Sequence, residues 1–299
     1  MSAPITQRVL APAKVNLFLR VVGQRADGYH LLESLMLPVD LFDELRIAVD
    51  TDAAPHVTLR SDSPDVPADA TNLAARAAVL FLQLTQIRAA VDIELVKRIP
   101  PGSGLGGGSS DAATTLTTLN RMLDAGRTAD ELAAWGARLG ADVPFFVFGR
   151  PALVEGAGEV VSRLAGWDRI PLVLAFPGIG LSTAAVYQQY DARQDRPRSL
   201  TKRVSATSIA DFATSGRPVR ELLVNDLEAV AAELRPELLS LKSLLVQFGA
   251  TGALMTGSGS AVFGIWPTRA AAEVAAEVVR GRGFWAVAVE TLQVSPAAA

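Results

Sequence analysis

The distribution of apolar and polar residues predicts alternating strands and helices along the chain. Residues 8–22 have the period of a strand, which places Lys14, Asn16 and Phe18 together on one face. The two polar residues interrupt an otherwise apolar strand. They indicate either a strand end that faces water, since charged strand residues are usually exposed, or side chains that point into a functional site.

The central part of the pattern is a strand, then a glycine-rich loop, then the N-terminus of a helix. Residues 90–98 alternate as a strand does, residues 102–108 contain five glycines, and apolar positions with helical spacing follow over about 110–123. A second helix is predicted over 129–139. The chain therefore presents a flexible loop directly before a helix N-terminus.

This arrangement favours the binding of an anion. Glycine lets the backbone approach a ligand closely, and the first turn of a helix has N–H groups without internal partners. The helix dipole adds partial positive charge, so the loop predicts a phosphate site. Ser109 and Ser110 are expected to cap the helix and to offer hydroxyls to a phosphate oxygen or to Mg²⁺.

Three other interpretations of the loop fit less well. Gly102, Gly104 and Gly107 match the dinucleotide-binding pattern, but a second helix follows where that motif requires a strand. No lysine follows the glycines, as the Walker P-loop requires. A flexible linker is disfavoured by the flanking strand and helix.

Two further stretches contain residues with candidate chemistry. Asp27 and Gly28 predict a turn, and Tyr29 and His30 follow it as a hairpin rim or as part of a binding site. Asp142 is the one charge in the run 140–149. A carboxylate among apolar residues is expected to cap a helix, to be paired or to be catalytic.

The remaining charges and turns are given structural interpretations. Lys97 and Arg98 are interpreted as solvated strand-end charges in preference to phosphate contacts, and residues 192–203 as a solvated polar loop. Residues 254–260 form a second glycine turn between two strands, and the tail 296–299 is expected to be disordered.

Composition narrows the function classes. The chain has 299 residues, 49% of them hydrophobic and 20% charged, with no cysteine and a formal charge of −3. The absence of cysteine excludes disulfides and thiolate chemistry, and the negative charge disfavours nucleic-acid binding. We see no secretory signal and no apolar run of about 20 residues that could span a membrane, so we expect a cytoplasmic enzyme.

Three blocks together resemble the GHMP kinases, the family of galactokinase, homoserine kinase and mevalonate kinase. They are the lysine strand near the N-terminus, the glycine-rich loop 100–113 and the C-terminal glycine turn. The resemblance spans about residues 8–292 and implies an α+β, two-domain GHMP kinase fold. It implies an N-terminal ATP-binding domain over 1–165, similar to domain 2 of ribosomal protein S5, and a ferredoxin-like C-terminal domain over 166–299.

The resemblance also implies an ATP-dependent small-molecule kinase that uses Mg²⁺. Within the family, the blocks are similar to those of the branch that phosphorylates the 2-hydroxyl of 4-diphosphocytidyl-2-C-methyl-D-erythritol (CDP-methylerythritol) in the non-mevalonate isoprenoid route. Lys14 and Asp142 match the catalytic pair, in which Asp142 accepts the proton of the attacking hydroxyl and Lys14 stabilises developing charge. The metal would lie near Ser109 or Ser110.

The remaining site residues follow from the same resemblance. ATP would be bound by Asn72 and Leu73 beside the adenine and by the loop residues Pro100, Pro101, Gly102, Ser103, Gly104, Leu105, Gly106, Gly107, Gly108, Ser109 and Ser110. The acceptor would be bound by Asn16, Tyr29, His30, Thr183 and Tyr187, with both tyrosines stacked on cytosine and His30 hydrogen-bonded to the polar edge of the base. Ser103 is expected to crowd the loop slightly.

Two rival functions stay open at this point. A GHMP kinase for homoserine or mevalonate would share the loop, but its acceptor has no base to stack on Tyr29. A nucleotide-binding regulator without catalysis is disfavoured by the presence of both Lys14 and Asp142. The acceptor is a small molecule in either kinase, no nucleic-acid or membrane partner is expected, and a homodimer is one candidate for the oligomeric state.

Overall fold

The computed structural model describes residues 4–193 and 204–298. Residues 194–203, most of the predicted polar loop, lie outside the described residues. The strands are β1 (Ile5–Gln24), β2 (His30–Asp50), β3 (His56–Ser61), β4 (Ala90–Val96), β5 (Ala152–Gly156), β6 (Val160–Arg163), β7 (Pro171–Phe176), β8 (Val224–Asn225), β9 (Gly252–Met255), β10 (Val262–Ile265) and β11 (Trp285–Glu290).

Helices connect and cover these strands. They are α1 (Leu73–Thr85), α2 (Gly107–Met122), α3 (Ala129–Ala137), α4 (Val143–Phe148), α5 (Thr183–Ala192), α6 (Ala206–Thr214), α7 (Glu228–Leu234), α8 (Glu237–Gln247) and α9 (Arg269–Gly281). Short 3₁₀ turns form at Val219–Leu222 and Pro296–Ala298. Within the described ranges, no helix combines the length and the apolar character needed to cross a bilayer.

The first sheet is built around the long hairpin of β1 and β2. Its strand order is β3-β4-β2-β1-β8, and β5 and β6 extend it from β2. β3 and β4 run parallel and are connected by α1, whereas β1, β2 and β4 pair antiparallel. β2 is one continuous strand of 21 residues, and β1 pairs with it over almost its whole length.

The second sheet has the ferredoxin-like arrangement that the resemblance implied. Its antiparallel order is β11-β7-β10-β9, formed by a strand–helix–strand–strand–helix–strand sequence. The α+β expectation is therefore confirmed. The boundary at 165/166 falls between β6 and β7 and stays a prediction, and β8, from the C-terminal half, pairs with β1 in the first sheet.

The middle of β1, residues 11–19, is buried on both faces. Val15 and Leu17 pack in one cluster with Leu174 and Phe263 of the second sheet. The sequence placed Phe18 with Lys14, but Phe18 belongs to the cluster of Val15 because the pairing with β2 shifts register between Asn16 and Phe18. Such a bulge turns the following side chain to the opposite face.

The C-terminal tail is ordered over its described residues, so the expected disorder is wrong. Ala297 is buried in the 3₁₀ turn, and its carbonyl accepts a hydrogen bond from Arg121 of α2 at 3.3 Å. The backbone N–H of Ser295 donates to the carbonyl of Gly149 at 2.7 Å. A short apolar segment can still be held in place by a buried methyl group, one hydrogen bond from a side chain and one between backbone groups.

Candidate active site

Two cavities lie on either side of the glycine-rich loop. The first has a volume of about 850 Å³ and the second about 460 Å³. Gly104, Gly106, Ser109 and Thr183 line both cavities. The loop is therefore a shared wall, which is the arrangement needed when a group moves from one bound molecule to another.

The loop takes the conformation that only glycine adopts readily. Gly102, Gly104 and Gly106 have φ values of 67°, 81° and 79°. A Cβ on Gly104 would lie 2.5 Å from the carbonyl oxygen of Thr256, so this glycine is also required by close packing. The backbone thus turns sharply enough to present its N–H groups at the helix N-terminus.

The predicted cap of α2 is wrong in one detail. The helix begins at Gly107 with Gly106 as its N-cap residue, three residues earlier than Ser109 would require. Ser109 consequently lies in the first turn and lines both cavities. Ser110 is fully buried, and its hydroxyl has no hydrogen-bond partner among the described residues.

Most of the predicted nucleotide-binding residues line the second cavity, and Leu105 and Ser110 do not. Those that line it are Asn72, Leu73, Pro100, Pro101, Gly102, Ser103, Gly104, Gly106, Gly107, Gly108 and Ser109. Asn72 also caps α1, with its Oδ1 accepting from the N–H of Ala74 at 2.9 Å. The hydroxyl of Ser103 donates to the carbonyl of Pro100 within the loop at 2.6 Å, and the expected slight crowding stays a prediction.

Lys14 points into the first cavity and does not face water. Its side chain is 4% exposed, and Nζ donates to Oδ1 of Asn16 at 2.7 Å. Asn16 is held in turn by the hydroxyl of Thr256 at 3.0 Å and by its own donation to Ser34 at 2.8 Å. The polar pair in β1 is therefore part of a buried network.

Asp142 lies beside Lys14 at the same cavity wall. Its Oδ2 is 3.6 Å from Nζ of Lys14, and its side chain is 35% exposed. Asp142 is the N-cap residue of α4, but its side chain makes no capping hydrogen bond. The capping interpretation is thus wrong, and the carboxylate faces the cavity as one half of a loose ion pair.

Burial sets the charge behaviour of this site. Burial lowers the pKa of Lys14, and the nearby Asp142 carboxylate only partly opposes that effect. Burial also raises the pKa of the Tyr187 hydroxyl, and the Asp142 carboxylate adds to the increase. Tyr187 therefore stays neutral at physiological pH, while Lys14 holds its proton less tightly than an exposed lysine.

The C-terminal glycine turn, residues 254–260, packs against Lys14 and the glycine-rich loop. Asn225 of β8 donates to the carbonyls of Met255 and Gly257, both at 2.9 Å. A Cβ on Gly257 would lie 3.1 Å from Nζ of Lys14 and 3.1 Å from the carbonyl of Gly104. The turn therefore contacts both the lysine and the loop.

The predicted acceptor residues all belong to the lining of the first cavity. Asn16, Tyr29, His30, Thr183 and Tyr187 all line it. The ring of His30 stacks on Tyr187 with centroids 4.6 Å apart and planes at 24°. Tyr29 is 65% exposed, and the hydroxyl of Thr183 is 2.9 Å from that of Ser258 in the glycine turn.

A second buried lysine site, which no local sequence pattern indicates, lies beneath the loop. Nζ of Lys97 is 2.5 Å from Oδ2 of Asp43 and 2.9 Å from Oδ2 of Asp111. The other oxygen of Asp43 accepts from the backbone N–H groups of Arg98 and Ile99. The solvated interpretation is thus wrong for Lys97, whereas the side chain of Arg98 is 61% exposed, as expected.

The charges of this cluster depend on one another. Burial alone would lower the pKa of Lys97, but the carboxylates of Asp111 and Asp43 raise it above its usual value. Burial, reinforced by Asp43 and opposed by Lys97, raises the pKa of Asp111 to about 7. The local sequence around Lys97 does not indicate this cluster, because its partners Asp43 and Asp111 lie 54 and 14 residues away.

Comparison with known proteins agrees with this geometry. The family model of the GHMP kinases N terminal domain matches residues 72–150, and that of the GHMP kinases C terminal domain matches residues 204–283. A protein of Citrifermentans bemidjiense named 4-diphosphocytidyl-2-C-methyl-D-erythritol kinase is 45% identical over 287 residues, covering 95% of this chain and 99% of the relative.

Solved structures give the same result. A crystal structure of 4-(cytidine 5'-diphospho)-2C-methyl-D-erythritol kinase superposes with a TM-score of 0.79 at 38% identity, covering 95% of this chain and 99% of the other. A homoserine kinase from Cytophaga hutchinsonii has a TM-score of 0.72 at 19% identity, covering 100% and 98% of the two chains, which shows the fold alone. The chain belongs to the GHMP kinases and is an ATP-dependent small-molecule kinase.

Proposed function

We propose that this kinase transfers the γ-phosphoryl group of ATP to the 2-hydroxyl of CDP-methylerythritol, a step of non-mevalonate isoprenoid synthesis. The observation that carries the proposal is the pair of Lys14 and Asp142, 3.6 Å apart, in the first cavity, where the glycine loop separates it from the second. The names of the relatives support this acceptor.

ATP would occupy the second cavity. Its volume of about 460 Å³ lies in the range of small-molecule sites. The N–H groups of the loop and of the first turn of α2 would bind the phosphates, and Asn72 and Leu73 would border the adenine. The γ-phosphoryl group would then lie at Gly106 and Ser109, the part of the wall that both cavities share.

Mg²⁺ fits the oxygen groups at this wall. Among the described residues, no cluster of three or more His, Asp or Glu side chains could hold a metal by itself. Mg²⁺ bound with substrate phosphates needs only one or two protein ligands. The Ser109 hydroxyl lines both cavities, and the buried Oδ1 of Asp111 has no hydrogen-bond partner among the described residues. The ion would neutralise negative charge on the phosphates, and Ser109 is better placed to hold it than Ser110.

Asp142 and Lys14 would act on the acceptor hydroxyl. The hydroxyl oxygen forms a bond to the γ-phosphorus while the bond to the β–γ bridging oxygen breaks, and the hydroxyl proton passes to Asp142. Asp142 is 35% exposed and can return that proton to water. The ammonium of Lys14 would stabilise negative charge on the transferred group, and Asn16 would keep that ammonium in place.

The part of the first cavity that is lined by Tyr29, His30 and Tyr187, here called the base end, would hold the cytidine. Tyr29 and Tyr187 are the aromatic side chains that would enclose the cytosine ring, and His30 would hydrogen-bond its polar edge. Stacking on aromatic rings contributes about 1–3 kcal/mol per base but does not distinguish bases. Thr183, whose hydroxyl is 2.9 Å from that of Ser258, would contact the diphosphate, because it lines both the first cavity and the wall shared with the second.

A coupled ADP-release assay with Mg-ATP tests the proposal. CDP-methylerythritol, homoserine and mevalonate are offered side by side as acceptors. We expect turnover on the first alone, because only that acceptor has a base to bind at the aromatic end. Turnover on homoserine or mevalonate instead would contradict the proposed acceptor, and ATP binding without turnover on any of the three would favour the regulator.

A further inference from the structure

A carboxylate outside the assigned site holds the histidine at the base end. Oδ1 of Asp191, near the end of α5, is 2.9 Å from Nε2 of His30, at the start of β2. Both residues line the first cavity, and the His30 side chain is only 12% exposed. Because the ring also stacks on Tyr187, its orientation is fixed by two contacts from the same helix.

The contact determines which ring nitrogen carries the proton. An ionised carboxylate can only accept hydrogen bonds, so Nε2 of His30 donates to Asp191. In a neutral imidazole the other nitrogen, Nδ1, then has a lone pair and acts as an acceptor. Among the described residues Nδ1 of His30 makes no hydrogen bond, so its acceptor capacity is available to a ligand in the cavity.

An acceptor at this position distinguishes cytosine from uracil. Cytosine carries an amino group that donates from N4, and uracil carries a carbonyl oxygen at the equivalent position. We propose that Asp191 is a positioning residue that fixes the tautomer of His30 and so selects acceptors with cytosine over those with uracil. The inference rests on the proposed function, since it concerns the base end of that same acceptor.

The tautomer can be measured without any substrate. The chain has two histidines, so a ¹⁵N-edited NMR spectrum of the imidazoles contains two spin systems, and a His56→Gln variant assigns them. We expect His30 in its neutral form to carry the proton on Nε2. His56 gives the second spin system, and its Nδ1 lies 3.0 Å from the carbonyl of Ala54 while its Nε2 lies 3.4 Å from Oδ1 of Asp92. A proton on Nδ1 of His30 would overturn the proposal.

The effect on base choice is tested with the Asp191→Ala variant. The ratio of kcat/KM for CDP-methylerythritol to that for its uridine analogue is expected to fall by roughly tenfold, the value of about one hydrogen bond. The KM for ATP should not change. Asp191→Glu keeps a carboxylate and should retain most of the discrimination, and Gln189→Ala, on the same helix but outside the cavity lining, is the matched control.

A double variant separates positioning from a general loss of structure. If Asp191 acts through His30, adding Asp191→Ala to His30→Ala should leave the ratio of the two acceptors unchanged. An equal loss of discrimination in both backgrounds, or an unchanged ratio in the single variant, would overturn the inference. If the wild-type enzyme does not use CDP-methylerythritol at all, the proposed function fails, and the NMR measurement still decides the tautomer.

Discussion

The molecule buries two lysine–carboxylate sites within the same fold, and they differ in how completely the lysine is neutralised. Lys14 has one carboxylate, Asp142, at 3.6 Å, and that carboxylate is 35% exposed to the cavity. Lys97 has two, at 2.5 and 2.9 Å, and both are almost fully buried.

The difference appears in the direction of the pKa shifts. The pKa of Lys14 is lowered, because burial outweighs its single distant partner, whereas that of Lys97 is raised by two close ones. A lysine whose positive charge is only partly neutralised by its carboxylate can stabilise the negative charge of a phosphoryl group during transfer. A lysine whose charge is already balanced holds the protein together. Lys14 and Lys97 are both buried, so we attribute the difference between them to pairing geometry, and we propose that the loosely paired lysine is reactive and the closely paired one structural.

Of the variants that test the difference between the two lysines, Lys97→Met is expected to have the largest effect, a loss of unfolding free energy. The substitution leaves the carboxylates of Asp43 and Asp111 buried without their cation, and breaking a buried ion pair from one side costs about 3–5 kcal/mol. Denaturant unfolding of the nucleotide-free protein measures this loss. A change below 1 kcal/mol would show that the cluster does not stabilise the fold.

Lys14→Met should lower turnover without lowering the free energy of unfolding, which is the opposite of what we expect for Lys97→Met. We expect kcat to fall by about 10²–10³-fold, the usual cost of losing one electrostatic contact to the transition state. The free energy of unfolding at neutral pH should stay equal or rise, because the lowered pKa means that the fold disfavours the charged lysine. Asn16 remains satisfied, since Thr256 still donates to it. Loss of stability without loss of kcat would reverse the roles of the two lysines.

The pH dependence of turnover tests whether the lowered pKa of Lys14 affects kcat. Since the pKa of Lys14 lies below its usual 10.5, this lysine loses its proton at a lower pH than an exposed one. We expect kcat to fall as pH rises through that lowered pKa, by up to tenfold per pH unit once the lysine is mostly neutral. A pH profile of kcat for wild type and Lys14→Arg checks this, because arginine stays charged. An alkaline decline that is unchanged in an active Lys14→Arg variant would assign it to another group.

The smallest effect is expected from Arg98→Ala, which is the matched control for Lys97→Met. Arg98 is the next residue in the chain, but its side chain is 61% exposed and pairs with Asp62 at 3.4 Å. Exposed ion pairs contribute about 0–1 kcal/mol. Equal losses of unfolding free energy in the two variants would mean that the buried cluster stabilises the fold no more than an exposed ion pair does.

Much of the fold and the cavity lining was predictable because local signals agreed with one another. β1 has the alternation of a strand, the loop is marked by its glycines, and the helix after it has helical spacing. The three motifs shared with the GHMP kinases then indicated the order of these elements in the fold. Lys14 and Asp142 were both expected at the site, and the structure brings them together at 3.6 Å.

The errors arose where partners are distant in sequence. The pairing of Lys97 depends on Asp43, and the position of Phe18 depends on a bulge in the pairing with β2. Likewise, Asp191 is 161 residues from His30, so nothing in either local sequence indicates their contact. Local patterns report which face of an element is apolar, but they do not report which charges the fold brings together.

The measurement that tests the account most directly is turnover by Asp142→Asn together with its binding of both substrates. The substitution removes the proposed proton acceptor and the ionic partner of Lys14 but retains the size of the side chain. We expect calorimetry to find nearly unchanged affinities for ATP and CDP-methylerythritol, whereas kcat falls by about 10²–10⁴-fold. Near-wild-type turnover would contradict the assignment of Lys14 and Asp142 as the reacting pair.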